Sequence, residues 1–377
     1  MTHAKASLPR VLIVAHDARA TGGVNNFLRI MRRRLRGRID ATRFSNGPRH
    51  GEKLKGKTHV LARMAWDYIR FAGLLLQRRF DVVHINPTFD MRSMPRELVF
   101  VWLTRAFSPR TKIILFFRGW DWKAVQATEE SSLKKALFQA SLKRVDRVLL
   151  LSETFKSSLV ELGVPADRVF RTTTMFEGAV LKEVLAENPP KELRTILFLC
   201  RFMPAKGGLV VIEAFTRVAE TYPDARLVMA GDGPQRAELE AAADASGVGN
   251  RIEFTGYVGG VRKMSLLASA GLFVLPTTHP EGMPNAILEA MAAGEVILTT
   301  AVGGIADVVI DQENGAILKG QDTDELTDVL TGYLSDPAKT LAVGAHNRQL
   351  AWSNWESQIV SDDIGDHYVA VVSSAAA

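Results

Sequence analysis

Cysteine is nearly absent from this chain. Cys200 is the single one in 377 residues, which excludes an internal disulfide and fits a reducing compartment. It closes an apolar run, TILFLC, and reads as a buried structural thiol. Long apolar runs are missing as well: none nears the roughly 18 residues that suggest a membrane-spanning helix. The segment MTHAKASLPR lacks the apolar stretch of a secretory signal, so a cytoplasmic location is expected, with room for peripheral attachment to the inner face of a membrane. No Cys/His cluster has metal-ligand spacing, and neither a metal nor another cofactor is expected. Asp322 and Asp324 form an Asp-x-Asp pair, but they stand just before a helical pattern, where N-capping is the simpler role. What remains is ordinary: 47% apolar and 23% charged residues, the composition of a globular protein, and a length that suits two domains better than one core.

The net charge of +6 conceals a split. Residues 1–190 hold 34 Lys and Arg against 17 Asp and Glu; residues 191–377 hold 13 against 24. Such asymmetry suggests that the first half faces a polyanion, either nucleic acid or an anionic membrane. The segment FLRIMRRRLRGR, 27–38, places Phe27, Ile30, Met31 and Leu35 at helical spacing and fills much of the remaining surface with arginine. Two readings are open: a basic amphipathic helix lying on a membrane, or a helix packed on a sheet with its arginines in water. Residues 43–57 read as an exposed basic loop.

Apolar strand patterns alternate with helical ones along both halves. In the first, strands are predicted at Arg10–His16, Asp81–Asn86, Lys112–Phe117, Asp146–Ser152 and Arg168–Thr172, with helices between them. This alternation means an open parallel sheet wound on both faces. Glu177–Arg194 breaks the pattern, and its Pro189–Pro190 suggests a linker. A second series follows, with strands at Thr195–Cys200, Arg226–Ala230, Arg251–Thr255, Gly271–Pro276, Glu295–Thr300 and Ala316–Lys319. The predicted fold is α/β, two doubly wound Rossmann-like domains facing a central cleft. The domains are residues 1–185, basic and acceptor-binding, and 190–352, with a helix at 353–377 that returns to the first domain.

Ligands on such sheets bind beyond the carboxyl ends of the strands, and the informative residues lie there. EGMPNAILEAMAAG, 281–294, follows the apolar run GLFVLP. Pro284 suits a first helical turn, and that helix would offer free N–H groups and the positive end of its dipole to phosphate. Glu289 falls about a turn further on. A nucleotide-sugar has a matching layout, so Glu281 is expected to read the sugar, the backbone at Gly282, Met283, Pro284 and Asn285 the phosphates, and Glu289 the ribose diol. Arg201 and Lys206, in CRFMPAKGG, sit between a strand and a helix, where two cations neutralise a diphosphate as its charge grows. Gly233, in the turn GDGP, allows close approach of a nucleotide. Gly22 and Gly23 open the first helix, either as an anion seat or as a tight turn. After KIILFF come Arg118, Gly119, Trp120 and Asp121; Trp120 either stacks on a ligand or packs in the core. His16 and His84 end strands of the first domain, where either positions an acceptor or serves the structure.

RFMPAKGG, AGDGP, FTGYV, EGMPNAILEAMAAG and TTAVGGIADVV occur in the order found in family 4 glycosyltransferases, and over more than 100 residues the second half resembles their nucleotide-sugar domain. The resemblance implies a GT-B fold and a retaining, metal-independent hexosyltransferase that moves sugar from a UDP- or GDP-sugar to an acceptor hydroxyl. It implies catalytic Arg201, Lys206 and Glu281, base contacts at Tyr257 and Val258, and a glycine loop at Gly22 and Gly23 over donor phosphates and acceptor. The first half departs from the pattern: Arg118 stands where many members carry histidine, and Phe176–Gly178 replaces an Asn-Gly turn. Expected partners are the nucleotide-sugar, a glycan or lipid-linked acceptor in polysaccharide or glycolipid synthesis, and an anionic membrane surface met by the basic domain; nucleic acid is not expected. Two alternatives stand beside this reading, a GT-B epimerase or phosphorylase, and a polyanion-binding protein on a degenerate scaffold.

Overall fold

The computed structural model describes residues 8–19, 22–48, 52, 56–187, 189–279 and 282–373. The chain divides into two compact units: one runs to Thr173 and resumes at Ser357, the other spans Thr174–Glu356. The first unit opens with β1 (Arg10–His16), α1 (Gly23–Arg34), β2 (Asp40–Asn46), α2 (Gly56–Gln77), β3 (Val82–Ile85) and α3 (Ser93–Phe107). It continues through β4 (Lys112–Phe116), α4 (Trp122–Glu129), α5 (Ser132–Leu142), β5 (Arg147–Leu150), α6 (Glu153–Glu161) and β6 (Val169–Arg171). Its strands form one parallel sheet in the order β2-β1-β3-β4-β5-β6. Val11, Leu12, Ile13 and Val14 are wholly buried, as a strand covered on both faces requires.

The second unit opens with α7 (Gly178–Ala186), β7 (Glu192–Leu199), α8 (Gly208–Thr221), β8 (Arg226–Ala230), α9 (Arg236–Ala245), β9 (Ile252–Gly256) and α10 (Gly260–Ser269). It closes with β10 (Ala270–Leu275), α11 (Asn285–Ala293), β11 (Val296–Thr300), β12 (Gly315–Leu318), α12 (Thr323–Ser335) and α13 (Pro337–Asn354). Its parallel sheet has the order β12-β11-β10-β7-β8-β9. The last helix, α14 (Ser357–Ser373), belongs to the first unit and packs on α1. Asp322 caps α12, its side chain accepting from the Glu325 N–H, so this aspartate serves the helix.

Two expectations are corrected, and one open alternative is narrowed. Part of the presumed basic loop at 43–57 is β2, paired along its length with β1. The presumed linker contains α7, whose Leu181 and Val184 join the second core, while Trp352 lies where a Cβ on Gly178 would fall. The unit boundary therefore lies at 173/174, not in the prolines near 190. Of the two readings open for α1, its apolar stripe fits the helix packed on a sheet. Phe27, Leu28, Ile30 and Met31 are buried, Arg32 donates to the Ala41 carbonyl, Arg34 to Ser357, and Arg38, just beyond, to Asp362 and Asp366.

Candidate functional site

In the second sheet β7 and β10 are central neighbours, and the chain passes from β7 to β8 and β9 before returning to β10 on the other side. This reversal opens a crevice beyond the carboxyl ends. The loop after β7 carries Arg201 and Lys206; the loop after β10 begins at Pro276. The two are stitched together: Thr278 N–H donates to the Ala205 carbonyl at 2.8 Å, and Thr277 Oγ1 to the same oxygen at 3.3 Å. Gly207 lets them close. Its φ is 81°, and a Cβ there would fall 2.7 Å from Pro276 Cγ and 2.8 Å from its carbonyl oxygen. α8 and α11 start directly beyond these loops, with Gly207 and Pro284 as N-caps, and neither has a side-chain cap bond. Their first-turn N–H groups suit phosphate oxygens.

Arg201 is exposed, while Lys206 is half-buried in a short 3₁₀ turn. Desolvation holds the Lys206 ammonium below its ordinary pKa, with a smaller opposing effect from Cys200. Cys200 itself packs half-buried against the core, and desolvation pushes its thiol up to about 12; it is inert at neutral pH. In the α11 segment the Gly282 carbonyl accepts from Gly304 N–H at 2.6 Å, Met283 is buried, and Thr174 Oγ1 donates to Asn285 Oδ1 at 2.5 Å. Glu281 lies outside the described residues.

Glu289 is nearly buried, and its carboxylate accepts from Lys263 Nζ of α10 at 2.6 Å. A ribose diol there would share the carboxylate with a lysine that the sequence reading missed. Only the placement of α10 against α11 brings the pair together; their 26-residue separation gives no local signal. Gly233 has a structural reason to be glycine. A Cβ there would lie 2.2 Å from the Phe202 carbonyl oxygen, and one on Gly231 1.9 Å from that of Cys200, so these glycines admit the neighbouring backbone. Tyr257 is 85% exposed, but Val258 belongs to the core. A cavity of about 1070 Å³ lies at the opposite edge of this unit among Lys191, Arg194, Asp224 and Arg251. There Arg194 already pairs with Asp224, and Arg251 donates to two carbonyls, which leaves little for an anion.

In the first unit the equivalent reversal lies between β1 and β3. His16 and Asp121 line a cavity of about 580 Å³ with Thr88, Asp90, Met91, Arg92, Ser93 and Arg96. Asp121 also caps α4, accepting from Lys123 N–H at 3.0 Å. Arg92 and Arg96 escaped the sequence reading; their i,i+4 spacing across the start of a helix was the available signal. Gly22 (φ 143°) caps α1 and Gly23 begins it.

Two expected acceptor contacts are corrected. Trp120 stacks on Phe155 with centroids 4.7 Å apart and the planes 8° from parallel, and is buried against Phe89. His84 is wholly buried, its Nδ1 2.5 Å from Tyr368 Oη of α14; burial and then Arg118 lower its pKa to about 3, so it is neutral. Arg118 lies over Phe27 at 3.9 Å and Phe116 at 4.2 Å. Its Nε and Nη1 are sealed from solvent without a hydrogen bond. Burial lowers its pKa to about 9, which leaves it charged at neutral pH.

Two open parallel sheets of this kind define the GT-B class. HepE of Anabaena, crystallised with UDP and glucose, superposes with a TM-score of 0.70 over 96% of this chain and 100% of its own, at 16% identity; that likeness concerns the fold alone. The family follows from sequence. "Glycosyl transferase 4-like domain" matches residues 7–172 and "Glycosyl transferases group 1" residues 182–350, and the chain belongs to the family 4-type glycosyltransferases. A phosphatidylinositol N-acetylglucosaminyltransferase chain of Arabidopsis thaliana is 28% identical over 221 residues, 58% of this chain and 48% of that protein. The GDP-mannose-dependent alpha-(1-6)-phosphatidylinositol monomannoside mannosyltransferase of Mycolicibacterium smegmatis is 29% identical over 167 residues, 43% of this chain and 44% of its own. The chain thus spans about half the length of the curated relatives it matches.

Proposed function

We propose that this chain transfers a hexose from a UDP- or GDP-sugar to an acceptor hydroxyl, with retention at the anomeric carbon and without a metal. The observation that carries the reading is the stitched pair of loops at the β7/β10 reversal. They hold Arg201 and Lys206 beside two helix N-termini that no side chain caps. Fixed cations and N–H dipoles stabilise a leaving diphosphate with little reorganisation. Glu289 takes the ribose and Glu281 the sugar. Arg201 and Lys206 do the work a divalent ion does elsewhere, and the departing phosphate oxygen takes the acceptor proton on the same face. The acceptor enters at the first unit's carboxyl edge, near His16, Asp121, Arg92 and Arg96, with Arg118 reading an anionic group. A lipid-linked acceptor is supported by the relatives, whose names specify phosphatidylinositol substrates.

Membrane contact is assigned to α2. Leu61, Trp66, Ile69 and Leu76 are 54–68% exposed, mostly along one side of the helix, and Lys57, Arg70 and Arg78 are exposed near them. An apolar face with basic neighbours suits the inner, anionic face of a membrane. No helix among the described residues is long and apolar enough to cross one.

The deciding experiment screens nucleotide-sugars by thermal shift, then incubates the best donor with glycolipid acceptors, with and without EDTA, and assigns the anomer of the product by NMR. Retained configuration and EDTA-insensitive transfer are expected. Conversion of donor without an acceptor points to an epimerase; absence of nucleotide binding overturns the reading.

A further inference from the structure

A cavity of about 520 Å³ lies in the second unit between α7 and α13, with Leu185, Pro189, Leu341 and Trp352 on its apolar side and Lys191 and Arg348 on its charged one. Trp352 Nε1 donates to the Ala292 carbonyl at 3.0 Å, so the indole offers the cavity carbon surface. The two cations converge on one atom. Lys191 Nζ donates to the Ala293 carbonyl at 3.2 Å and Arg348 Nη2 to the same oxygen at 2.9 Å, while Lys191 also reaches the Leu267 carbonyl at 3.5 Å. Ala293 ends α11 and Leu267 lies in the last turn of α10, so these bonds are also ordinary capping of negative helix ends. Capping does not balance the charge here. Each helix end carries about half a negative charge, two together about one, against two whole cations. Arg348 spends one of its five N–H groups on the carbonyl, and no carboxylate lines the cavity among the described residues. Glu295 is the acid that acts on Lys191, but it is wholly buried and neither of its carboxyl oxygens has a hydrogen-bond partner. Burial pushes its carboxyl well above the ordinary range. Burial also lowers Lys191 to about 8; Glu295 opposes that shift and Arg348 adds to it.

A surplus of about one positive charge beside carbon walls is complementary to a single anion on an apolar body, and the volume is that of a small-molecule site. The nucleotide diphosphate is a poor match, because it carries more charge and has no aliphatic part. It is also on the wrong side of the sheet. Lys191 and Gly294 immediately precede β7 and the start of β11, whereas the loops of Arg201, Lys206 and Pro276 follow β7 and β10. We infer that this cavity binds a small monocarboxylate with an aliphatic or aromatic body, its carboxylate against Lys191 and Arg348 and its body against Leu185, Leu341 and Trp352. The site is separate from the donor crevice and does not depend on the transfer reaction proposed there. It meets that crevice only through α10 and α11, whose far ends it touches and whose Lys263 and Glu289 pair.

The test uses the full chain with labelled tryptophan and follows the six indole N–H signals by NMR, that of Trp352 being assigned from the Trp352→Phe spectrum. Acetate, hexanoate and hexanamide are titrated, with UDP and GDP in parallel. Hexanoate is expected to shift the Trp352 signal saturably and to bind at least about tenfold more tightly than acetate, which lacks the apolar body. Hexanamide, of the same shape without the charge, is expected to bind about tenfold more weakly or worse. Arg348→Met should weaken hexanoate by about tenfold or more, and Leu341→Glu should abolish its binding. Arg348 is exposed and Leu341 is 52% exposed, so both variants fold, and their unchanged nucleotide affinity checks that they do. Hexanoate that leaves the Trp352 signal in place, acetate or hexanamide that binds as well as hexanoate, or an affinity that either variant leaves unchanged overturns the site. Failure of the wild-type chain to bind UDP and GDP, with hexanoate binding intact, overturns the transferase reading instead.

Discussion

At Arg118 a charged side chain is held for something other than stability. Its Nε and Nη1 are sealed and unpaired, and the ring faces of Phe27 and Phe116 supply only part of the lost hydration. Replacing buried ion pairs by apolar groups of similar volume is neutral or stabilising by about 1–4 kcal/mol, and relieving the desolvated Arg118 charge is expected to act in the same direction. Arg118→Met is therefore expected to raise the unfolding midpoint by about 2–4 °C, read by calorimetry, while lowering transfer ~10²-fold. A lower midpoint would show that the stacking outweighs the buried charge. Lys206 makes the same argument through pH. Desolvation sets its folded pKa below the ordinary 10.5. Below that lowered pKa both folded and unfolded chains carry the proton, and the burial penalty is fully present. As pH climbs from it toward 10.5 the unfolded chain binds more protons, so stability rises. Donor affinity moves the opposite way over the same window, because the neutral amine no longer attracts a diphosphate. Lys206→Ala should abolish both trends and slow transfer by ~10²–10³; an unchanged rate removes Lys206 from the chemistry.

At the scale of the element, the pairing of α10 with α11 separates structure from binding. Lys263→Met leaves Glu289 nearly buried without its 2.6 Å partner, which costs about 1–3 kcal/mol. The double variant Lys263→Met, Glu289→Met should regain most of that stability, since an apolar pair replaces an ion pair at little loss. Nucleotide affinity should not return with it if Glu289 holds the ribose; calorimetry with UDP and GDP reads this. What was legible in the sequence follows from the same physics. The strands β1, β4, β7 and β10 announce themselves as apolar runs because both their faces are covered, and the loops holding Arg201 and Lys206 follow directly from where those runs stop. β2 hid because DATRFSN is an edge strand with only Ala41 and Phe44 apolar. α7 hid because its charged flanks and the following Pro189–Pro190 resemble a linker, whereas Leu181 and Val184 are fixed by a core assembled from distant sequence. Trp120 and His84 follow or end strands, which left a ligand contact and a structural role both open. Yet the faces they occupy were already filled by Phe155 and Tyr368, residues 35 and 284 positions away.

Across the whole molecule the surplus of basic residues in the first half asks what it serves. The arginines of α1 are largely absorbed within their own unit, by a backbone carbonyl and by Ser357, and Arg38 by Asp362 and Asp366. The bonds to Arg32 and Arg34 orient those side chains without neutralising them, whereas Arg38 is paired with carboxylates. α2 combines both requirements, exposed apolar side chains and exposed cations. Trp66 and Ile69, 54% and 64% exposed, would each gain by leaving water for the headgroup boundary, and the surrounding charge would add an attraction that salt screens within about 8–10 Å. Flotation with anionic liposomes should therefore recover the wild-type chain at low salt and progressively less as sodium chloride rises. The double variant Trp66→Ala, Ile69→Ala should weaken partitioning about tenfold or more, while substituting Arg32 by Gln on α1 should leave it unchanged. Both sets leave the donor loops intact, so UDP affinity controls for folding. If neutral and anionic liposomes recover the chain equally, the charge split has no membrane role; if the α1 variant releases the chain and the α2 variant does not, contact lies on the face that the packing of α1 has been argued to close.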